Sequence, residues 1–538
     1  MKKVKKNQIT IIFFILMFSM TVSCELISEK SEEVVQWERW QKSLISEVII
    51  EPQEDTLRVF FTGPNGISFN NYAFTNDGKN FNFRAAFPKT GKWQWRTEFS
   101  DTTNARLHDI EGRVKVMPYN GNNLLYKHGY LQVSENGRYL VHADGTPFLW
   151  IGDSGWSASL KSSIQEWRDY IDKRVDQGFS VIQLSPRGAG TGPEGRAHIS
   201  IHEDGTIDPE FWEDLEKKIG YANDQGIILL IVEVGKHWRD LLAQNLRNQP
   251  FITYLTGRLS PYMVILSPSF DQRYDPELEK VGEELKKINL HLVTQHSGTH
   301  YETNQAYRDS PSVDFSGLQT GHQRGNLINA YRSARTWTLD MWNSYPVKPV
   351  INIETMYDGY GHNEAENWRE KDVRKLGWIA WLSGSMGYTY GAGMVPPRVP
   401  EGAGGVWAFN LDSTTYDFWR NAMNWDSANQ MTVMKEFFES IEWWRLAPAH
   451  ELVLNQAEND TLKMVVSVTK ERDLLLAYLP DNPVIKLDLS DFKETITGKW
   501  LNPINGDYYE ISRSVVPSEI VSFLRPEDLE DALLILSD

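Results

Sequence analysis

Between Phe148 and Gly391 the chain repeats one pattern: a short apolar run, a polar or glycine-bearing turn, then a stretch of helical periodicity. No other feature narrows the possible folds as much. Apolar runs that alternate with helices pair as parallel strands, because each connection must cross over the sheet. The runs are Phe148–Ile151, Phe179–Leu184, Ile227–Val234, Tyr262–Leu266, Leu290–Val293, Phe315–Leu318, Val350–Ile353 and Gly387–Gly391. The third is nearly continuous in apolar residues, as a strand covered on both faces requires. Helices are predicted over Ile164–Gln177, from Asp208 to Asp224 with Pro209 at the first turn, and over Arg369–Ser383. Eight strand-then-helix steps in about 300 residues predict an α/β chain built on a (β/α)8 TIM barrel.

In such a barrel the C-terminal strand ends meet at one mouth, where catalytic groups are carried. The residues predicted there are Asp153, Trp156, Arg187, Glu233, Lys236, His237, Trp238, Asp271, His296, Gln319, His322, Glu354, Tyr357 and Tyr390. Each alone has a bland reading as a turn cap, a core aromatic or a solvated charge. A packed barrel without a ligand has no need of a polar group after every strand. Glu354 closes the seventh run and Asp271 follows the fourth, so the two carboxyl groups are expected to face each other across the mouth. Glycoside hydrolysis needs such a pair, one carboxyl proton-bearing and one ionised. Glu354 is the expected nucleophile and Asp271 the expected acid/base, with Glu233 as the alternative acid. Holding a proton near neutrality costs about 1.4 kcal/mol per pKa unit, and an apolar wall such as Phe270 would supply it. There is no His-x-His or His-Glu-x-x-His spacing, so the histidines read as hydrogen-bonding groups and neither metal nor cofactor is expected. The other mouth residues read as sugar contacts.

The flanks are β-rich. Alternating runs such as Leu57–Phe61, Asn80–Phe87 and Trp93–Thr97 predict an N-terminal β-sandwich over 34–118. Thr461–Val468 and Leu474–Leu479 begin a small C-terminal β-sandwich over 446–538, which leaves 119–445 to the barrel. A basic start, an apolar Ile9–Val22 and the sole cysteine, Cys24, predict a lipoprotein signal over 1–23, lipidation at Cys24 and a tether over 24–33. The membrane is then met only through a lipid anchor. A net charge of −17 argues against nucleic acid as a partner. The 20 tryptophans fit a protein that stacks rings on sugars, as well as one with several cores.

Several motifs resemble the apiosidase-like glycoside hydrolases (glycoside hydrolase family 140 and relatives) of Bacteroidetes. They are Lys127-His128-Gly129, Ala143 to Phe148, Gly152 to Trp156, Leu318 to His322, Lys348 to Glu354, Asp372-Val373-Arg374, Gly387 to Gly391 and Trp443 to Pro448. The resemblance implies a barrel glycosidase with an acid after strand four, a Glu after strand seven, an immunoglobulin-like N-terminal module and a C-terminal β module. It departs where the family often has Gly-Gly-Asp and this chain has Ser269-Phe270-Asp271. The expectation is a retaining hydrolase of a plant or algal polysaccharide or its oligosaccharides, lipid-anchored in the outer membrane of a Gram-negative bacterium. The alternative is a non-catalytic surface glycan-binding lipoprotein with a degenerate barrel. Oligomeric state stays open.

Overall fold

A computed structural model describes residues 32–50, 56–186, 208–232, 249–288, 291–321, 326–359, 370–394, 404–406, 418–492, 494–511 and 520–538. Its centre is a curled parallel sheet of seven strands. In spatial order they are Val264–Ser267, Ile228–Val232, Val181–Leu184, Trp150–Ser154, Gly387–Tyr390, Val350–Glu354 and Ser316–Gln319. All are buried along their length, which is why their sequences are apolar on both faces.

The expected strand over Leu290–Val293 is not a full ladder. Within the described residues it is one parallel bridge, Leu266 to Val293. Side chains stand in for the missing backbone partners: Asp314 Oδ2 accepts from Val293 N (2.8 Å) and Thr294 Oγ1 donates to Phe315 O (3.0 Å).

Helices follow the strands and pack outside them. Ser163 opens Ile164–Asp176 with a capping box to Glu166, and Asp208 caps Pro209–Asp224 with proline in the first turn. Asn326 caps Leu327–Asn343, and Glu370–Leu382 is buried through most of its length. Among the described residues no helix is long and apolar enough to cross a membrane.

Strand alternation sorts the sheet's side chains into two cores. Trp150, Val181, Leu230, Ile265, Phe315, Ile351 and Ile353 share the inner one. Ile151, Ile182, Leu229, Leu266, Tyr388 and Tyr390 share the outer one with the helices.

Two groups of sheets flank this centre. On the N-terminal side a five-stranded and a three-stranded sheet share a core of Trp40, Phe61, Phe83, Phe87, Trp93 and Trp95. On the C-terminal side a six-stranded and a two-stranded sheet share a core that includes Leu475, Leu487, Trp500, Phe523 and Leu534. Both are tied to the centre by buried charge. Glu216 meets Arg84 (2.8 Å) and Arg258 (2.5 Å), and Arg374 meets Asp531 (2.7 Å).

Candidate active site

Simple alternation would turn Glu354 away from the hollow, because Ile351 and Ile353 already face the inner core. The register slips at this point. Leu318 pairs with Asn352, but the next residue, Gln319, pairs with Glu354. Ile353 is thus an extra residue, and the bulge brings Glu354 to the inside beside Gln319. The Ile353 carbonyl accepts from Gln183 Nε2 (2.7 Å), which also donates to Ser154 Oγ (2.8 Å). Thr320 N and Gly321 N hold the Glu354 carbonyl at 3.0 and 3.1 Å.

Asp271 is re-aimed in a similar way. It lies in Phe270–Gln272, which runs parallel to His296–Ser297 with a register shift between Phe270 and Gln272. Its φ is 52°, in the left-handed region that aspartate tolerates better than bulkier residues.

Six predicted residues come together. Glu354 is 3% exposed. Its Oε1 accepts from Tyr357 OH (2.8 Å), and Trp156 Nε1 donates to that hydroxyl (2.7 Å). Glu354 Oε2 accepts from Gln319 Nε2 (2.9 Å) and lies 3.0 Å from His296 Nε2. The His296 contact is short but poorly aligned, so it acts as an ion pair rather than a directed hydrogen bond. Asp271 Oδ1 accepts from the same Gln319 Nε2 (3.0 Å) and lies 3.8 Å from His296 Nδ1. The Asp271 side chain is 54% exposed. Phe270 packs on Trp156 (4.8 Å) and His296 (5.1 Å), so it walls the imidazole while the Asp271 carboxyl keeps its access to solvent.

Burial alone would lower the pKa of His296. The close Glu354 carboxylate and the charge of Asp271 outweigh burial and raise it, favouring the imidazolium. Burial, reinforced by the Glu354 charge, holds Tyr357 far above the usual phenol range, so it stays a donor.

Asp271, His296 and Glu354 also bring one ligand-type atom each within 4.8 Å of one another, a spacing that could hold a metal ion. No sequence motif announced this trio, because its members come from three separate segments. The Gln319 amide donates to both carboxylates of this trio.

Two predicted contacts are corrected. Asp153 shares the outer parity of Ile151 and turns its carboxylate to Tyr170 OH (2.6 Å) and Arg174 Nε (2.7 Å). Tyr390 likewise faces the helices, its hydroxyl 2.9 Å from Ser427 Oγ. Both are fully buried and engaged behind the sheet. Arg187, Glu233, Lys236, His237, Trp238, His322 and Cys24 lie outside the described residues. Gln183 was missed; the signal for it was a lone polar residue inside Val181-Ile182-Gln183-Leu184.

Residues 134–445 match the family model described as the apiosidase-like catalytic domain. The chain belongs to the apiosidase-like family. It is accordingly a glycosidase, and the reading of it as a non-catalytic binding protein is set aside. Residues 447–537 of this apiosidase-like chain match a second model, described as a proposed collagen-binding domain of a collagenase. A search of curated proteins finds no match.

Solved structures share the fold. One, described as a glycoside hydrolase, is 21% identical with a TM-score of 0.66, over 78% of this chain and 99% of that one. A glycoside hydrolase family 5 structure from Bacteroides vulgatus is 22% identical with a TM-score of 0.67, over 77% of this chain and 94% of that one. Another Bacteroides vulgatus structure, 16% identical with a TM-score of 0.67, covers 94% of this chain and 100% of its own, so the flanking sheets belong to the shared layout.

Proposed function

We propose that this apiosidase-like glycosidase is a retaining enzyme with Glu354 as nucleophile and Asp271 as acid/base. The observation that carries the reading is the separation of the two carboxylates: an oxygen of each lies within 4.8 Å of the other. Inverting enzymes need roughly 6.5–9.5 Å to seat a water between the carboxyls, whereas retaining enzymes hold them about 5–5.5 Å apart. Asp271 gives its proton to the glycosidic oxygen as the bond to the anomeric carbon breaks and Glu354 forms an ester there. Water then attacks the same carbon, passes a proton to Asp271 and releases Glu354. Tyr357, Gln319 and the His296 imidazolium hold the Glu354 carboxylate and balance its charge before attack.

On the same reading the curled sheet closes into a full (β/α)8 barrel through the Leu292–Thr294 segment, with 34–118 and 446–538 as β modules, the first immunoglobulin-like. The substrate is a plant or algal polysaccharide or an oligosaccharide from it, with pectic apiose the nearest named activity through the glycoside hydrolase family 140 resemblance. A signal over 1–23 and a lipid on Cys24 place the enzyme at the outer membrane.

Chromatography of products from pectic and algal polysaccharides, with proton NMR of the first-formed anomer, tests the reading. Retention is expected with wild type and no product with Glu354→Gln. A first-formed anomer of inverted configuration overturns the assignment of Glu354 as nucleophile.

A further inference from the structure

The end of the sheet away from Glu354 holds a cavity of about 650 Å³. Leu149, Ser180 and Gly226 form part of its wall, and each stands just before a strand of the central sheet: Trp150–Ser154, Val181–Leu184 and Ile228–Val232. The cavity therefore lies at the N-terminal strand ends, whereas Glu354 closes the C-terminal end of its own strand. The helix Asp426–Glu439 and the turn Trp443–Arg445 contribute the rest of the wall. Three motifs singled out in the sequence, Lys127-His128-Gly129, Ala143 to Phe148 and Trp443 to Pro448, reach this cavity, and none supplies a group to the carboxylate site.

The lining joins apolar surface to hydrogen-bonding groups that are still open. Phe148, Phe179 and Ile441 supply apolar surface, and half-buried Trp444 stands at 84° to Trp443 with ring centres 5.8 Å apart. His142 is 4% exposed, and its Nδ1 lies 2.9 Å from the Gly129 carbonyl, so that nitrogen carries the hydrogen. Burial lowers the His142 pKa and keeps the ring neutral. Its Nε2 is then an acceptor, with no protein partner among the described residues. Asn122 and Gln225 line the cavity from exposed positions, and their side-chain amides bond to no described residue. Charge, in contrast, is cancelled. Asp224 meets Arg39 at 2.9 Å, Lys435 meets Glu439 at 2.7 Å and His128 meets Asp144 at 2.6 Å. Each charged side chain of the lining has its opposite beside it, so nothing there calls for an ionic ligand.

We propose that this cavity is a second carbohydrate site, which takes a neutral oligosaccharide segment of the polysaccharide on which the glycosidase acts. The proposal rests on the reading of the substrate as a polysaccharide and not on the role given to Glu354. A sugar ring has a C–H face that packs on an indole and a rim of hydroxyls, each both donor and acceptor. Trp444 covers the C–H face, a hydroxyl gives its hydrogen to His142 Nε2, and the Asn122 and Gln225 amides take the others. The volume lies within the roughly 300–1,000 Å³ of small-ligand sites. A second site away from the mouth raises the effective concentration of polysaccharide around the protein.

Affinity electrophoresis tests the site without turnover. The full chain carrying Glu354→Gln is run through gels of arabinan, galactan, xylan and glucomannan, with polygalacturonate as the anionic control. The dissociation constant is read from mobility against polysaccharide concentration. The same protein is run with Trp444→Ala added and with Asn122→Ala and Gln225→Ala added together, and a melting curve of each checks the fold. At least one neutral gel is expected to retard the parent protein. Trp444→Ala is expected to weaken that binding about tenfold, and the pair of amide truncations about threefold. A dissociation constant that stays within about 1.5-fold of the parent in Trp444→Ala overturns the site; should that variant unfold, the same result in the amide pair does so instead. Retardation by none of the neutral polysaccharides, or by polygalacturonate alone, also overturns it. An inverted first-formed anomer from wild type, by contrast, would remove Glu354 as nucleophile and leave this binding result standing.

Discussion

Two regions of this molecule gather carboxylates, and they treat them differently. Where the C-terminal sheets meet the helix Glu370–Leu382, the buried Asp531 has a buried cation against it, Arg374, which also lies 3.8 Å from Glu530 and 4.0 Å from Glu370. Arg374 donates to both oxygens of Asp531, at 2.7 and 3.1 Å, and to Gln430 Oε1 at 2.9 Å. Tyr478 OH donates to Asp531 as well, and both charged partners are fully buried. Burial would lower the Arg374 pKa, but Asp531 more than offsets it and keeps the guanidinium charged. At the mouth, two carboxylates both lie beside the His296 imidazole and the neutral Gln319 amide. Matched charge fixes one geometry and stays still. Two carboxylates that share a donor disfavour joint ionisation, which is what the proposed acid/base chemistry would use.

The sharpest way to break this contrast is Glu354→Gln. Removing the charge at the mouth is expected to lower turnover by about 10⁴-fold or more while the melting temperature stays within a few degrees, because the amide fills the same space. Sugar-release assays alongside thermal melts check both halves. A melting temperature that collapses would mean the mouth is structural after all.

Arg374→Met reverses the emphasis. Leaving Asp531 buried without its cation is expected to cost about 3–5 kcal/mol of stability, read by denaturant unfolding, with activity per folded molecule little changed. Loss of activity at full stability would erase the distinction between the two regions.

Asp358 tests an intermediate case. It accepts from Ser427 Oγ (2.6 Å) but has no cation beside it among the described residues, and burial, aided by the charges of Glu370 and Asp372, raises its pKa from 3.8 to about 6. The folded state therefore holds this proton more tightly than the unfolded chain does. The stabilisation is complete below about pH 4 and is lost as pH rises through about 6. Asp358→Asn is expected to be more stable than wild type above pH 6, by at most about 3 kcal/mol, and to flatten the stability curve between pH 4 and 6. Parallel stability curves for the two proteins over that range would remove Asp358 as the source.

The smallest effect is expected where charge is matched but wet. Arg106 and Glu47 pair at 3.0 Å with side chains 65% and 73% exposed. Arg106→Ala should change stability by less than about 1 kcal/mol, and that change should vanish at high salt. A larger, salt-independent loss would show that burial is not what separates structural from incidental ion pairs here.

Much of the layout was legible because it follows from local rules. Ser163 with Glu166 and Asp208 with Pro209 announce helix starts that depend only on neighbouring residues. The apolar run from Ile228 to Val232 could only be a strand covered on both faces. The site was legible only as a gathering of strand ends. Asp153 and Tyr390 sit at strand ends like Glu354, but nothing local shows that they face the helices. Gln183 is missed for the opposite reason, since it lies mid-strand and becomes useful only when a bulge elsewhere frees the Ile353 carbonyl.

By itself the sequence determined the alternation of strand and helix, the β-rich flanks and which carboxylates stand at strand ends, because periodicity, caps and turns act over a few residues. Tertiary structure alone decided which of those carboxylates turn inward. Side-chain direction in a strand alternates with every residue, so the register slips beside Gln319 and at Asp271 reverse it. Register belongs to a pair of strands, and one strand's residues cannot state where its neighbour will slip.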